Sequence, residues 1–356
     1  YIEGLDQYRG WFQSSLLVAV GALGRGAPFK ECVTHGWTVD GEGKAMHKSL
    51  GNGMDPAEIF NKYGADLLRL WAGSSDYHVD VRCSDEIFKQ LSQNYLKFRN
   101  TCKFCLDNLV SFDPDHLVQP DEMLPLDKWA VTRLNTLIEK VFAAYDNYEF
   151  HVVSHMINDF CVVDLSSFYF DIIKDRLYCG EASGLERRSA QTAVWLILDA
   201  MTRMFAPILA FTCDEVWLAM PHRSADDARN VLFNEMVQPY AAYALSEEEM
   251  GKWARLAALR TAVNGALEQA RADKTIGKSL EAEVDLTVTA EDAFLADMDA
   301  ADLADTLIVS QVRVDVGAEQ AVAVRPAAGA KCLRCWKVLP TVGSDAEHPE
   351  LCPRCA

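Results

Sequence analysis

Long apolar runs are missing from this chain. The apolar runs present, such as residues 15–23 and 207–211, fall far short of the roughly 20 residues that a helix needs to cross a bilayer, so no membrane association is expected. A secretory leader is also missing. So is an initiating methionine: the chain begins at Tyr1, directly in patterned sequence, and reads as the C-terminal part of a longer protein. Positive charge is scarce, with 34 Lys and Arg against 52 Asp and Glu and a formal net charge of −18. That balance argues against a generic nucleic-acid binder, which needs clustered cations for phosphate, and leaves room for a large acidic enzyme with local basic surfaces. No solenoid-type repeat is present. The 11 cysteines are an odd number, and the seven outside the C-terminal motif described next lie on apolar patterns, which suits reduced thiols in the cytoplasm rather than a disulfide framework.

What is present starts at the far end. Cys332-Leu333-Arg334-Cys335 and Cys352-Pro353-Arg354-Cys355 are two Cys-x-x-Cys pairs separated by 16 residues, the spacing of a zinc ribbon. Pro340, Gly343 and Pro349 let the intervening segment fold back. Four thiolates fill a tetrahedral sphere and leave no place for water, so one structural Zn2+ is expected on Cys332, Cys335, Cys352 and Cys355. His348 lies between the pairs and is not needed as a ligand.

At 356 residues, two to four domains are expected. The first 53 residues mix β-type runs (32–34 and 37–39) with glycine-rich turns and a helix candidate at 10–23, an α/β pattern. Helical spacing follows at 56–71. Apolar residues then recur at three- and four-residue steps near 84–109, 126–148, 151–176, 186–204 and 208–220, the pattern of a helical bundle interrupted at Pro207. Ser246 with Glu249 makes a capping-box start for a helix to 272. Period-two sequence at 280–288, 307–316 and 321–324 indicates a small α+β unit before the ribbon.

Two early stretches carry more polar chemistry than packing needs. One is Glu3-Gly4-Leu5-Asp6-Gln7-Tyr8-Arg9-Gly10-Trp11-Phe12, with two carboxylates, an amide and an arginine beside glycines and an aromatic pair. The other is Asp40-Gly41-Glu42-Gly43-Lys44-Ala45-Met46-His47-Lys48-Ser49-Leu50-Gly51-Asn52, a cationic loop directly after a strand, suited to a phosphate that gains charge in a transition state. The first resembles the E-G-x-D-Q-x-R-G-W-F segment of class I aminoacyl-tRNA synthetases, in particular of the isoleucyl-tRNA synthetase family. The second resembles the K-M-S-K-S-x-G-N loop of the same family. Residues 65–71, 169–176 and 204–209 resemble its later helices, so the resemblance spans essentially the whole chain.

The resemblance implies a multidomain architecture. Residues 1–80 would be an α/β remnant of a class I (Rossmann-type) catalytic domain with the K-M-S-K-S-like loop, and 81–245 an α-helical anticodon-binding bundle. A helix plus small α+β unit would occupy 246–328, and the C-terminal zinc ribbon 329–356. It also implies roles. Glu3, Asp6 and Gln7 would line the adenylate pocket, Trp11 would wall the isoleucine side chain, and Lys48 would bind ATP and stabilise the α-phosphate under attack. Lys44 and Ser49 are further ATP-binding candidates. Ala45 and His47 replace the first lysine and first serine of the family loop, and Lys44 is the cation placed to compensate. The implied substrates are isoleucine, ATP with Mg2+ and tRNA(Ile), handled by a cytoplasmic monomer. The H-I-G-H motif and the editing domain of the family lie outside these residues, so the 356 residues alone are expected to make no adenylate. Valyl-tRNA synthetase and a non-catalytic tRNA-binding zinc protein are the alternatives. Cys102 and Cys105 read as helical core, His151 and His155 lack the glutamate of a zinc-protease pair, and Gly277-Lys278-Ser279 lacks the first glycine of a P-loop.

Overall fold

Two strands can pair in parallel only if the chain crosses back between them, and the α/β pattern of the opening residues provides two such crossovers. In the computed structural model, which describes residues 1–356 except Lys48, β1 (Ile2–Gly4) pairs in parallel with β2 (Val33–His35), with Glu3 opposite Thr34. Between them runs α1 (Trp11–Leu17), which continues as a π-helical turn at Val18–Ala22. The second pair is β3 (Thr38–Val39) with β4 (Val81–Arg82), also parallel, and it encloses α2 (Pro56–Tyr63) and α3 (Ala65–Ser74). Residues 56–71 are therefore two helices, not the single one their spacing predicts. The break is Gly64, whose φ of 85° is open to a residue without Cβ and costly for the others. Asp55 starts α2 by accepting the Ala57 N–H at 2.9 Å, with Pro56 at the first helical position.

The bundle follows as α4 (Asp85–Asn108), α5 (Pro125–Asp146), α6 (Phe150–Asp159), α7 (Phe170–Cys179), α8 (Leu185–Phe205) and α9 (Ala210–Ala219). The predicted helix at 151–176 is realised as α6 and α7 joined by a π-helical stretch, Phe160–Tyr169. Pro207 lies in the turn between α8 and α9, where a residue without N–H does least harm. α10 (Glu247–Ala272) opens with the predicted reciprocal cap: the Ser246 N–H donates to Glu249 at 2.8 Å, and the Glu249 N–H donates to the Ser246 hydroxyl at 3.3 Å.

The small unit has strand order β6-β5-β7, with β5 (Ala282–Val288) central. β6 (Gln311–Val316) runs parallel to it after the crossover helix α11 (Ala300–Leu307), and β7 (Ala321–Pro326) runs antiparallel. The period-two run expected from 307 is thus corrected: Leu307 closes α11, Ile308 caps it in a left-handed conformation (φ 57°), and the strand begins at Gln311. A last hairpin, β8 (Ala330–Lys331) with β9 (Val338–Leu339), opens the ribbon.

The chain divides into two compact units. One comprises Tyr1–Asp107, Thr136–Val162 and Leu198–Pro239, the other Asn108–Asn135, Val163–Ile197 and Tyr240–Ala356. In the first, the buried residues include Leu67 and Leu70 of α3, Ile157 of α6 and Cys213 and Trp217 of α9. Cys102 and Cys105 are buried there too. Burial drives both thiols well above the ordinary range, so they behave as core. The second unit is organised on a fully buried carboxylate. Asp127 accepts from the Tyr169 hydroxyl at 2.7 Å, from the Ser189 hydroxyl at 2.6 Å, and from two Arg176 nitrogens at 3.2 Å each. The carboxylate is thereby saturated, which is the condition under which an ion can be buried at all.

Candidate functional site

In the ribbon, two knuckles aim four sulfurs at one point. Cys332, Cys335, Cys352 and Cys355 are all buried, and their Sγ atoms lie within 4.8 Å of one another. The Cys335 and Cys352 sulfurs are 3.8 Å apart. Four thiolates at about 2.3 Å from one zinc would be separated by about 3.8 Å, so the donor set fits the ion before it arrives. Gly329 is required at the hairpin, because it has φ 117° and a Cβ there would sit 2.2 Å from the Leu339 carbonyl carbon. Burial pushes the Cys332 thiol up, but the N–H groups of Cys335, Cys352 and Arg334 more than offset it and bring it down to about 6. Burial raises Cys335, with the neighbouring thiols adding to it, and takes Cys355 up to about 11. Four sulfurs that cannot all ionise side by side become compatible once a divalent cation lies among them. The site is closed, with every position filled by protein, so the zinc is structural. Its surroundings hold it firmly: Arg354 pairs with Asp175 of α7 at 2.6 Å, the Val338 N–H donates to Ser310 at 2.7 Å, and Lys337 pairs with Asp305.

The loop after β3 is built differently. Asp40 accepts the N–H groups of Glu42 at 3.0 Å and Lys44 at 2.8 Å, folding the chain into a tight turn through Gly43 at φ 87°. At the other end, the Asn52 amide donates to Asp40 at 2.8 Å and to the Ala45 carbonyl at 3.1 Å, while its oxygen accepts the His47 N–H at 2.9 Å. The Asn52 amide, together with the two backbone donors, holds the Asp40 carboxyl below its usual range. Met46 packs on the buried cluster of Ile59, Cys83 and Phe88. The loop is therefore tied at its two ends and at Met46, and its polar groups face solvent: Lys44, His47 and Ser49 are exposed. Lys44 forms a 2.6 Å ion pair with Glu42. Lys48 lies outside the described residues. Asp40, Met46 and Asn52 lie in the stretch the sequence singled out, but their clamping and anchoring roles were not read from it. An Asx residue closing a turn straight after a strand was the available signal.

The decapeptide begins on β1 and turns through Leu5–Arg9 into α1. Gln7 donates to Asp6 at 3.1 Å and accepts the Trp11 N–H at 3.0 Å, so these three expected site residues lie together. Two glycines permit this packing: a Cβ on Gly10 would lie 2.6 Å from Gln7 Oε1, and one on Gly4 would lie 2.9 Å from Asp6 Oδ1. Glu3 and Asp6 are exposed, and Trp11 is 54% exposed, its ring stacked on Tyr1 at 5.6 Å. Trp11 also borders a shallow apolar groove with Val18, Ala19 and Leu23 of the same crossover. It is not a core aromatic. The segment and the loop stand on separate strand pairs, β1–β2 and β3–β4.

Three family models match this architecture in order. Residues 1–84 match tRNA synthetases class I (I, L, M and V), 127–286 match the anticodon-binding domain of tRNA ligase, and 329–356 match the zinc finger found in FPG and IleRS. Together these matches liken the chain to the class I tRNA synthetases. Within that class its likeness is to isoleucine–tRNA ligases. It is 46% identical to those of Thermoanaerobacter sp. (strain X514) and Geobacter sulfurreducens and 45% identical to that of Moorella thermoacetica, along 100% of its own length. It spans 39%, 39% and 40% of those relatives. Among solved structures, the fold resembles LeuRS of Agrobacterium radiobacter K84 in its ternary complex with tRNA and LeuAMS, with TM-score 0.54 and 17% identity over 81% of this chain and 30% of that one. Mycobacterium tuberculosis methionyl-tRNA synthetase, solved with methionyl-adenylate, gives TM-score 0.51 and 17% identity over 61% and 43%. No helix among the described residues is long and apolar enough to cross a membrane.

Proposed function

We propose that the chain is the C-terminal part of an isoleucine–tRNA ligase. The complete enzyme joins isoleucine to ATP as an adenylate, releases pyrophosphate, and passes the acyl group to the terminal ribose of tRNA(Ile). The observation that carries the reading is the likeness to isoleucine–tRNA ligases along the whole of this chain at 46% identity. The turn-clamped loop and the closed ribbon support it.

In this reading, residues 1–80 complete the catalytic domain, 81–245 bind the anticodon region, 246–328 carry the helix and small sheet, and 329–356 form the ribbon. Glu3, Asp6 and Gln7 line the adenylate pocket, and the exposed face of Trp11 walls the isoleucine side chain. Lys48, with Lys44 and Ser49, binds ATP, whose Mg2+ arrives with the nucleotide. Fixed cations on a loop stabilise charge that grows on the α-phosphate as the carboxylate attacks, and they need no solvent reorganisation at that moment. The Asp40–Asn52 clamp leaves the loop's polar groups facing solvent, as such a role needs. The enzyme acts as a monomer in the cytoplasm.

The test is amino-acid-dependent pyrophosphate exchange by the full-length protein. Exchange with isoleucine far above that with valine supports the reading, and preference for valine or for neither amino acid refutes it. The isolated 356 residues should support no exchange.

A further inference from the structure

α3 presents two faces to two different partners. On one, Leu68 and Trp71 pack against the buried cluster of Ile59, Cys83 and Phe88, the same cluster that seats Met46 of the loop. The Trp71 indole N–H also donates to the Arg82 carbonyl at 2.9 Å, which ties the helix to β4. The other face carries Asp66, Arg69 and Gly73, at helical spacings of three and four residues that bring side chains into line.

That second face completes the corner between α8 and α9. A proline corner leaves helix-end groups without intrahelical partners. The residue at the N-cap of α9, Leu209, also offers no side-chain cap. Asp66, only 7% exposed, supplies one from a distance: it accepts the Phe211 N–H at 3.3 Å, the Thr212 N–H at 2.7 Å and the Thr212 hydroxyl at 2.5 Å. Arg69 binds the carbonyls on the other side of the corner, donating to Ile208 at 2.9 Å and to Pro207 at 2.8 Å. Gly73 allows close approach, since a Cβ there would meet the Ile208 side chain at 3.0 Å. Its carbonyl also accepts from Ser154 of α6 at 3.1 Å. Every one of these partners lies in the first compact unit.

We infer that α3 is a strut joining the anchor of the 40–52 loop to the α8–α9 corner, and that Asp66 and Arg69 are positioning residues. They fix the strut at the corner, the strut fixes the cluster under Met46, and that cluster sets where the loop stands. Neither residue touches substrate. The inference rests on reading the loop as the ATP loop only for its kinetic arm. Its structural arm is independent of that reading.

The experiment uses the full-length enzyme with Asp66→Asn and Arg69→Ala, and with Arg69→Lys as the milder variant should Arg69→Ala fail to fold. Amide hydrogen exchange is followed at 206–213 and at 40–54, with 282–288 as reference, and pyrophosphate exchange is measured alongside. Loss of charge-assisted bonds should speed exchange about tenfold at the corner and also at the loop, with the reference strand unchanged. The kcat for pyrophosphate exchange should fall while KM for isoleucine stays put. Faster exchange confined to 206–213, with the loop at the wild-type rate, would reduce Asp66 and Arg69 to a local cap and overturn the inference. A protein without isoleucine-dependent activity would instead sink the functional reading, while the amide data would still decide the strut.

Discussion

The ribbon at 329–356 and the loop at 40–52 are both too short to bury an apolar core of their own, and each holds its shape by other means. The ribbon gathers four buried sulfurs around one point and docks its remaining groups on α7, α11 and Ser310. The loop spends its hydrogen bonds on two ends, through Asp40 and Asn52, and sinks one methionine. Its polar side chains Lys44, His47 and Ser49 are exposed, and the proposed function leaves them for ATP. Shape that serves only architecture can satisfy every group internally. A working site, as the loop is in the proposed function, must keep some groups unsatisfied, and on that reading the difference between these segments is that difference.

The comparison can be broken most forcefully at the ribbon. Cys335→Ser should empty the site, because structural zinc supplies on the order of 10 kcal/mol to the fold of such a module. Metal analysis should find about one zinc per native chain and almost none in the variant; unchanged zinc content would refute the site. Next in size is Lys48→Ala in the full-length enzyme. Removing a fixed charge from a transition state costs roughly 3 kcal/mol, about a hundredfold in adenylate formation, while tRNA affinity should barely move. Equal loss of both would show that the lysine has another task. Asn52→Ala should act more gently by cutting one end of the clamp. Amide exchange at 40–52 should rise several-fold, while zinc content and the exchange rates of 282–288 stay as they are. Lys44→Ala should matter least for stability, since its ion pair with Glu42 is exposed on both sides and such pairs contribute at most about 1 kcal/mol. Thermal unfolding should therefore be unchanged within error. A drop in adenylate formation approaching that of Lys48→Ala would identify Lys44 as the replacement for the missing first lysine.

Periodicity made most of the helices legible, because α4 and α10 bury one stripe and the pattern records it, whereas α8, buried on every side from Ser189 to Thr202, is marked by its length and apolar content. It failed where backbone conformation rather than burial decides. Gly64 breaks 56–71 into two helices without disturbing the apolar spacing, and Ile308 ends α11 in a left-handed turn that a β-branched residue does not advertise. The two-residue strand β4 is too short to show alternation, whereas β3 falls inside the β-type run read at 37–39. The four zinc ligands were readable because metal geometry constrains spacing along the chain. The clamp of Asp40 and Asn52 spans 12 residues and was not, since nothing in either residue announces the other.

Asp127 was invisible for a related reason: its partners Tyr169, Arg176 and Ser189 lie 42, 49 and 62 positions further along the chain, and only folding assembles them.

The docking of the ribbon has a practical consequence for anyone who wishes to move it. Four cysteines and a hairpin look like a cassette that could be cut at residue 329 and grafted elsewhere. Here, though, Arg354 is neutralised by Asp175, Lys337 by Asp305, and the Val338 amide by Ser310, all outside the cassette. Cys179 also packs against the metal-binding sulfurs from α7. A transplant that leaves these behind would carry two orphaned cations and a bare flank into its new host. A faithful graft takes the receiving surface with it.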